Sequence, residues 1–218
     1  MALEATHMCF ALDVKDRFKI EDIASYIQGT VYPDSRYVSG ISRELTHGHE
    51  LLKKEFAAND FKKGWQVHLL CDKIQRRVFH QNVPGFDKFK HEGFEKNQWI
   101  HFTAAKIIAD IGVLQSFDIQ PIVKLFNSEF CPNDEDISDI RKYNRIMIDL
   151  YANKKVPSVD DYMEMWSKLG IRPELSQKVR EKTDEFLHNE FREIIWSCYE
   201  KMPQVFDEFY ERLSQTTI

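Results

Sequence analysis

Residues 60–80 read DFKKGWQVHLLCDKIQRRVFH and form a long helical pattern in the N-terminal half of the chain. Asn59, or the aspartate that follows it, can cap this helix at its N-terminus. Gly64, His68 and Asp72 are spaced four residues apart, so they stack along one helix face. An imidazole and a carboxylate one turn apart can both reach a single metal ion. The segment therefore predicts a long helix that presents a His/Asp pair.

Gly64 is an unusual residue for the interior of this helix. Glycine costs about 1 kcal/mol relative to alanine there. We therefore expect another element to pass close to Gly64. The HxxxD spacing also has a purely structural interpretation, in which His68 bonds Asp72 inside the core or Asp72 pairs with Arg76 one turn later. The motif alone does not decide between these interpretations.

The rest of the chain also favours helices. With 8 Gly and 7 Pro in 218 residues, it has too few turn residues for a β-sandwich or barrel. Apolar residues recur at intervals of three and four, beginning on one face with His7, Phe10, Ala11 and Val14. Further helices are predicted at about 20–28, 49–58, 97–115, 118–127, 135–152, 158–169, 172–201 and 203–215. Gly29 is expected to end the second helix, and an irregular connection to follow it up to residue 48.

These patterns predict an all-α fold, a single-domain multi-helix bundle over residues 1–218. Its N-terminal half, about 1–115, carries the candidate site. The half from about residue 116 onward is predicted to be amphipathic scaffold without chemistry of its own. Four prolines, Pro121, Pro157, Pro173 and Pro203, are expected near helix starts, where a missing N–H costs least.

Composition excludes several classes of function. The net charge of −5 offers no general attraction to nucleic acid or to anionic lipid. No stretch approaches the ~20 apolar residues of a membrane span. The first residues lack the basic region of a signal peptide. The cysteines, Cys9, Cys71, Cys131 and Cys198, lack CxxC spacing, so we expect free thiols and a cytoplasmic location.

Histidines are concentrated in the first half of the chain. Of eight, only His188 lies beyond residue 101. The others are His7, His47, His49, His68, His80, His91 and His101. Neutral imidazole is a common ligand of transition metals, so this uneven distribution indicates a shared purpose for several of them.

Two further motifs precede the long helix. Tyr32-Pro-Asp34-Ser35 is typical of a turn, in which aspartate bonds its own downstream backbone, although Asp34 is also a candidate ligand. In Thr46-His47-Gly48-His49, the two histidines lie two residues apart. They would point about 200° apart on a helix, so we expect at most one to face a shared site.

Together, His7, Pro33-Asp34-Ser35, Thr46-His47 and the helical HxxxD resemble, in order and spacing, the zinc-dependent phospholipase C family and its single-strand nuclease relatives. The resemblance covers about residues 5–80. Those proteins are all-helical and bind up to three zinc ions. The His/Asp set is also similar to that of the HD-type phosphohydrolases, but no His-Asp dipeptide occurs in this chain.

The resemblance implies a set of metal ligands. Asp34 would be the catalytic carboxylate that bridges two ions. One ion would take His47, His68 and Asp72, and the other would take His7. A further zinc would take His80, His91 and Glu95, the last two at the HxxxE spacing that the family uses. The resemblance implies one to three divalent ions as the cofactor, with zinc as the metal.

Such a ligand set suits the hydrolysis of an anionic substrate. Two divalent ions, two carboxylates and a hydroxide leave a net charge of +1, which favours a phosphoester. Arg36 and Arg43 could clamp a phosphate group, or they could be solvated surface residues. We expect His101 to be a satisfied core or first-turn histidine and His188 to lie at the surface.

The sequence therefore predicts a metal-dependent phosphoester hydrolase that acts on a small phosphorylated substrate. Two alternatives remain open at this point. One is a non-catalytic helical binding or regulatory protein that retains a metal site. The other is a metal-independent helical scaffold whose histidines are incidental. The identities of the metal and of the substrate, and the oligomeric state, are not determined by the sequence.

Overall fold

The computed structural model describes residues 3–48, 52, 59–89, 96–126, 130–152 and 154–215, with the side chains of 96 and 211–215 excepted. Most of these residues are helical, and none of them forms a strand. The α-helices are α1 Glu4–Val14, α2 Ile23–Val31, α3 Arg36–Ser39, α4 Arg43–His47, α5 Asp60–Asn82, α6 Lys96–Ser116, α7 Gln120–Val123, α8 Ile137–Tyr151, α9 Val159–Lys168, α10 Pro173–Leu187 and α11 Phe191–Gln215. The prediction of an all-helical fold is confirmed.

The long helix α5 lies at the centre of the N-terminal half and packs against α1, α2 and α11. Its N-cap is Asn59, whose side chain accepts a hydrogen bond from the backbone N–H of Lys62. The helix α1 packs against α5 and α6. One connected hydrophobic cluster runs from Leu3 in the first helix to Phe206 in the last, so both halves of the chain contribute to the same core.

The helices α2 and α5 cross at two glycines. A Cβ on Gly64 would lie 1.9 Å from the carbonyl oxygen of Tyr26, and a Cβ on Gly29 would lie 1.9 Å from that of Phe61. Both contacts are far too short for any side chain, so the two backbones touch here. The expectation that another element passes close to Gly64 is confirmed.

The sequence suggested that Gly29 ends the second helix. Instead, α2 continues through Gly29 to Val31. Gly29 allows the close crossing with α5. The helix α2 begins at Ile23, after the N-cap Asp22. The connection that follows is not irregular throughout either. It holds a 3-10 turn at Tyr32–Ser35 and the short helices α3 and α4.

The helix boundaries in the C-terminal half of the chain also differ from those predicted. The expected helix at 172–201 is broken after Leu187, and α11 restarts at Phe191, whose N–H bonds the side chain of Asn189. Pro203 lies inside α11 rather than at a helix start. The helix predicted at 118–127 is reduced to α7. The helix predicted at 49–58 lies outside the described residues, apart from residue 52.

None of the helices in the described ranges combines the length and the apolar composition that a membrane crossing requires. The four cysteines all lie within the described residues, and no disulfide joins any two of them.

Candidate metal centre

Five of the predicted ligands converge from four separate elements. His7 comes from α1 and Asp34 from the 3-10 turn after α2. His47 is the last residue of α4, and His68 and Asp72 come from α5. We call these five residues the imidazole cluster. The four elements are separated along the chain, so it is tertiary packing rather than closeness in sequence that brings these side chains together.

The distances within the imidazole cluster are short. The Nε2 atoms of His47 and His68 lie 3.2 Å apart. The Nε2 of His47 is 3.5 Å from Oδ1 of Asp34 and 3.9 Å from Oδ2 of Asp72. The Nε2 of His7 is 3.7 Å from Oδ1 of Asp72. Ligand atoms of two overlapping triads, His7/His68/Asp72 and Asp34/His47/His68, lie within 4.8 Å of one another.

The orientation of His68 follows from the glycine crossing. Because α2 and α5 touch, Nδ1 of His68 donates a hydrogen bond of 2.7 Å to the carbonyl oxygen of Thr30. A carbonyl can only accept, so the proton of the neutral ring is on Nδ1. The lone pair of Nε2 then points into the cluster, in the orientation that a metal ligand needs.

Thr46 orients His47 in a similar way. The Thr46 hydroxyl lies 3.4 Å from the carbonyl oxygen of Ser42 and 2.9 Å from Nδ1 of His47. When the hydroxyl donates to that carbonyl, its oxygen accepts from Nδ1–H of His47. The Nε2 lone pairs of His47 and His68 then face each other across 3.2 Å. A cation shared by the two rings would satisfy both lone pairs. In the other tautomer, Thr46 donates to Nδ1 and Nε2–H of His47 donates to Nε2 of His68.

His7 is fully buried, and neither of its ring nitrogens has a hydrogen bond. Its ring stacks on that of His68, with centroids 3.8 Å apart and planes 14° apart. Burial, and after it the neighbouring imidazole, hold the pKa of His7 well below its ordinary value. Burial likewise lowers the pKa of His68 to about 4. Both rings are therefore neutral at pH 7, which is the form that binds metals.

The two carboxylates of the cluster are ionised. Burial acts to raise the pKa of Asp34, but the imidazoles of His47 and His68 outweigh it and hold that pKa below the ordinary value. For Asp72, burial is also outweighed by nearby positive groups, among them Lys106, so its pKa lies well below the ordinary value. Oδ1 of Asp34 is buried and has no hydrogen bond.

A divalent cation fits this arrangement. Two atoms each ~2.1 Å from one ion lie no more than ~4.2 Å apart, and ~3.4 Å apart at a tetrahedral angle. The contacts of 3.2, 3.5, 3.7 and 3.9 Å within the cluster all fall below that limit. The atoms left without hydrogen bonds, both nitrogens of His7 and Oδ1 of Asp34, are metal-ligand types. Buried polar groups are nearly always satisfied by a partner, and a metal ion would satisfy these.

The grouping of ligands differs from the one that the resemblance implies. His7 falls in a triad with His68 and Asp72, whereas Asp34 falls in the other triad, with His47. The two oxygens of Asp72 face different imidazoles, Oδ1 towards His7 and Oδ2 towards His47. By these contacts, Asp72 lies between the two groups, in the position that the resemblance assigns to Asp34.

The other predicted ligands lie away from the imidazole cluster or outside the described residues. His80 is twelve residues beyond His68 on α5, about 18 Å along the axis, and packs against Phe102. It is therefore too far from the imidazole cluster to share an ion with it, and its place in a further zinc site stays a prediction. Its proposed partners, His91 and Glu95, lie outside the described residues, as does His49.

The remaining histidines and the two arginines are all described. Nδ1 of His101 bonds the Asn97 carbonyl, and exposed His188 ends α10. The Arg36 guanidinium bonds the hydroxyl of Tyr37 at 2.9 Å and stacks over its ring at 4.3 Å, whereas Arg43 is exposed.

A cleft of about 360 Å³ opens beside the cluster, with Asp34 and Glu4 as its polar lining. Its apolar walls include Tyr37, Trp99, Met165, Trp166, Leu169 and Ile171. The sequence did not predict a contribution from α9 to the site, because Met165 and Trp166 read as ordinary apolar positions of an amphipathic helix. Glu4 was missed as well, since a single glutamate in a first turn carries no signal.

No protein-family model matches the chain, and neither a curated protein nor a solved structure shows similarity to it.

Proposed function

We propose that this protein is a divalent-metal-dependent hydrolase of phosphoester bonds, with the imidazole cluster as its metal centre. The observation that carries the proposal is the convergence of three imidazoles and two carboxylates from four elements, with their ligand atoms directed at one another. The resemblance to the zinc-dependent phospholipase C family supports the same activity. It also makes a phospholipase C-like fold and zinc the proposed fold and metal.

The residues of the imidazole cluster would have different roles in binding the ions. His68 and His47 present Nε2, because Thr30 and Thr46 occupy their Nδ1 atoms. Asp72 faces both triads, and Asp34 reaches the cleft. A bound divalent ion would act as a Lewis acid and lower the pKa of water towards ~7, which supplies a nucleophile at neutral pH.

Charge in the cluster selects the substrate class. The two carboxylates contribute −2, so two divalent ions would leave +2 in a buried site before any anion binds. Such a site favours an anionic group and stabilises the charge that builds on phosphoryl oxygens. Arg36 lies next to Tyr37 of the cleft and is the arginine we propose for contact with a phosphate.

The two triads support one or two ions at this centre rather than three. Both triads use His68, but its Nδ1 is taken by Thr30, so its ring binds one ion only. Asp72, with two oxygens, is the better candidate to join two ions. A third ion would need His80, which lies along α5 away from the cluster.

The test combines metal content with turnover. Purified protein should contain stoichiometric zinc or another divalent metal by elemental analysis. It should then hydrolyse a generic phosphomonoester or phosphodiester, such as a nitrophenyl phosphate, when loaded with that metal. Metal without turnover of either ester would leave a metal-binding regulatory protein. Protein that binds no divalent metal at micromolar concentration would refute the proposal.

A further inference from the structure

The cleft beside the imidazole cluster has a polar floor and apolar walls. At the floor lie Asp34, a proposed ligand, and Glu4. Glu4 is 4% exposed, and its Oε1 accepts a hydrogen bond of 2.6 Å from the hydroxyl of Tyr143. Its Oε2 is buried and has no hydrogen bond. A buried carboxyl oxygen without a partner is costly, so a hydrogen-bonding group of a ligand would be stabilised there.

The walls are aromatic and rigidly held. Trp99 on α6 and Trp166 on α9 pack with ring centroids 6.0 Å apart and planes 40° apart. Tyr37 is fixed by Arg36, which bonds its hydroxyl and covers its ring. Large aromatic side chains give much apolar contact area, and sites lined in this way usually bind apolar parts of ligands.

Charge in the cleft argues against a second anionic group. Among the described residues that line it, two are acidic and none is basic. A polyphosphate or a nucleic-acid strand would place further negative charges next to Asp34 and Glu4. A polyhydroxylated group would lose most of its hydrogen bonds to water against the apolar walls, which costs free energy for each unmatched hydroxyl.

The size of the cleft limits the ligand. The 360 Å³ between these walls includes space open to solvent, so the cleft is shallow. A compact ligand can rest against the walls with its other side in solvent, whereas two long acyl chains would remain largely exposed.

From this geometry we infer that the cleft binds the alcohol part of the substrate, and that this part is a compact apolar group such as an arylmethyl group. The ester oxygen lies at the floor beside Asp34 and Glu4, and the ring lies against Tyr37, Trp99 and Trp166 on the open side of the cleft. The inference rests on the proposed function in that it assigns the leaving group of that reaction. The binding of the free alcohol, however, requires neither metal nor turnover.

The first experiment measures binding of the free alcohols by ligand-observed NMR on the full chain. Benzyl alcohol should bind at millimolar concentration, and glycerol should not bind detectably. Ile171→Trp places a larger side chain in the cleft and should weaken the binding of benzyl alcohol at least tenfold. Ile122→Trp is the matched control, because Ile122 is also half-buried but lies on α7, away from the cleft. It should bind benzyl alcohol as the wild type does.

A second variant covers the case in which Ile171→Trp does not fold. Trp99 is half-buried, so Trp99→Leu should fold, and it should also weaken the binding of benzyl alcohol by removing an aromatic wall. If benzyl alcohol fails to bind, or binds equally well to folded Ile171→Trp and Trp99→Leu, the inference is wrong.

Turnover separates the inference from the proposed function. With metal-loaded protein, kcat/KM for benzyl phosphate should exceed that for glycerol phosphate at least tenfold, and Ile171→Trp should abolish that preference. Binding of benzyl alcohol without hydrolysis of any ester would leave the cleft assignment standing and remove the hydrolase. Hydrolysis of glycerol phosphate at least as fast as benzyl phosphate would overturn the cleft assignment and keep the hydrolase.

Discussion

Two groups of buried acidic residues lie in the same core and differ in their partners. In the imidazole cluster, Asp34 and Asp72 face histidines. In the second group, which we call the tyrosine cluster, Glu4 and Asp110 face hydroxyl groups. Its members are Glu4, Thr6, Asp110, Tyr143, Tyr151 and Tyr162. The helix α1 belongs to both clusters, since it carries Glu4 and Thr6 as well as His7.

The tyrosine cluster satisfies its central carboxylate within the protein. Oδ1 of Asp110 accepts from the backbone N–H and the hydroxyl of Thr6, at 2.6 and 2.8 Å. Oδ2 accepts from the hydroxyls of Tyr151 and Tyr162, at 2.9 and 2.7 Å. Because Leu3 offers no side-chain cap to α1, Asp110 supplies that function from α6. These bonds tie α1, α6, α8 and α9 together.

The contrast between the clusters separates a structural role from the functional role that we propose. Burial raises the pKa of Asp110, and it raises the pKa of Glu4 to about 8, with the charge of Asp34 as a second cause. In the imidazole cluster, neighbouring positive or ionisable groups lower the pKa of both aspartates. Both carboxylate oxygens of Asp110 accept hydrogen bonds from protein donors, whereas Asp34 and His7 each have buried polar atoms without hydrogen bonds. The atoms without hydrogen bonds in the imidazole cluster are of types that bind metals, which is why we propose a cation there.

The largest expected effect is on catalysis. Asp34→Asn should lower phosphoester turnover of the metal-loaded protein at least about 100-fold, because the amide keeps the size of the carboxylate but not its charge. The matched control is Asp22→Asn at the N-cap of α2, where asparagine caps equally well. Steady-state kinetics and metal analysis of both variants test this. Normal turnover and normal metal content in Asp34→Asn would make Asp34 a turn residue only.

The next effect is on stability and should fall on the other cluster. Asp110→Leu removes the acceptor of buried hydroxyl and N–H groups, so the free energy of unfolding should drop by about 3–5 kcal/mol. In metal-free protein, Asp34→Asn should cost no more than about 1 kcal/mol, since an amide oxygen remains beside His47. Urea denaturation gives both values. Equal costs would erase the distinction between the clusters.

Metal removal should have an intermediate effect. An ion present at about 100 times its Kd stabilises the native state by ~2.7 kcal/mol, which corresponds to roughly 5–10 °C in the Tm of a chain of this length. A strong chelator should therefore lower the Tm of wild type and of His101→Gln by that amount. His68→Gln should show little change, because it lacks the ligand common to both triads. A chelator shift that survives in His68→Gln would place the metal elsewhere.

A further effect is a pH dependence that arises in the tyrosine cluster. The pKa of Glu4 is about 8 in the folded protein, against 4.5 ordinarily. Between these values the folded state binds more protons than the unfolded state, so the contribution of Glu4 to stability falls as the pH rises from about 5 to 8. Glu4→Gln lacks this loss, so its stability relative to wild type should increase over that range. Melting curves at each pH measure the difference, and exposed Glu190→Gln, as control, should run parallel to wild type. A parallel curve for Glu4→Gln would contradict the burial of an ionisable Glu4.

The candidate site was more predictable than its surroundings because its residue types are rare and chemically specific. Helical spacing made His68 and Asp72 candidate ligands, and the resemblance in order and spacing to a known family added His7, Asp34 and His47. Gly64 signalled a close crossing, because glycine in a helix interior needs a reason. The partner of that crossing, α2 with Gly29, could not be predicted, since a glycine near a helix end has an equally good local explanation as a terminator.

The sequence by itself determined that the chain is helical and which side chains are able to bind a metal, because periodicity and ligand chemistry are local properties. Only the tertiary structure decided that Asp110 is a structural carboxylate, that His80 lies apart from the cluster, and that Trp99 and Trp166 meet at one cleft. Asp110 has its partners 104, 41 and 52 residues away. Such contacts depend on how helices pack, and helix packing depends on the shape of the whole core rather than on any one segment.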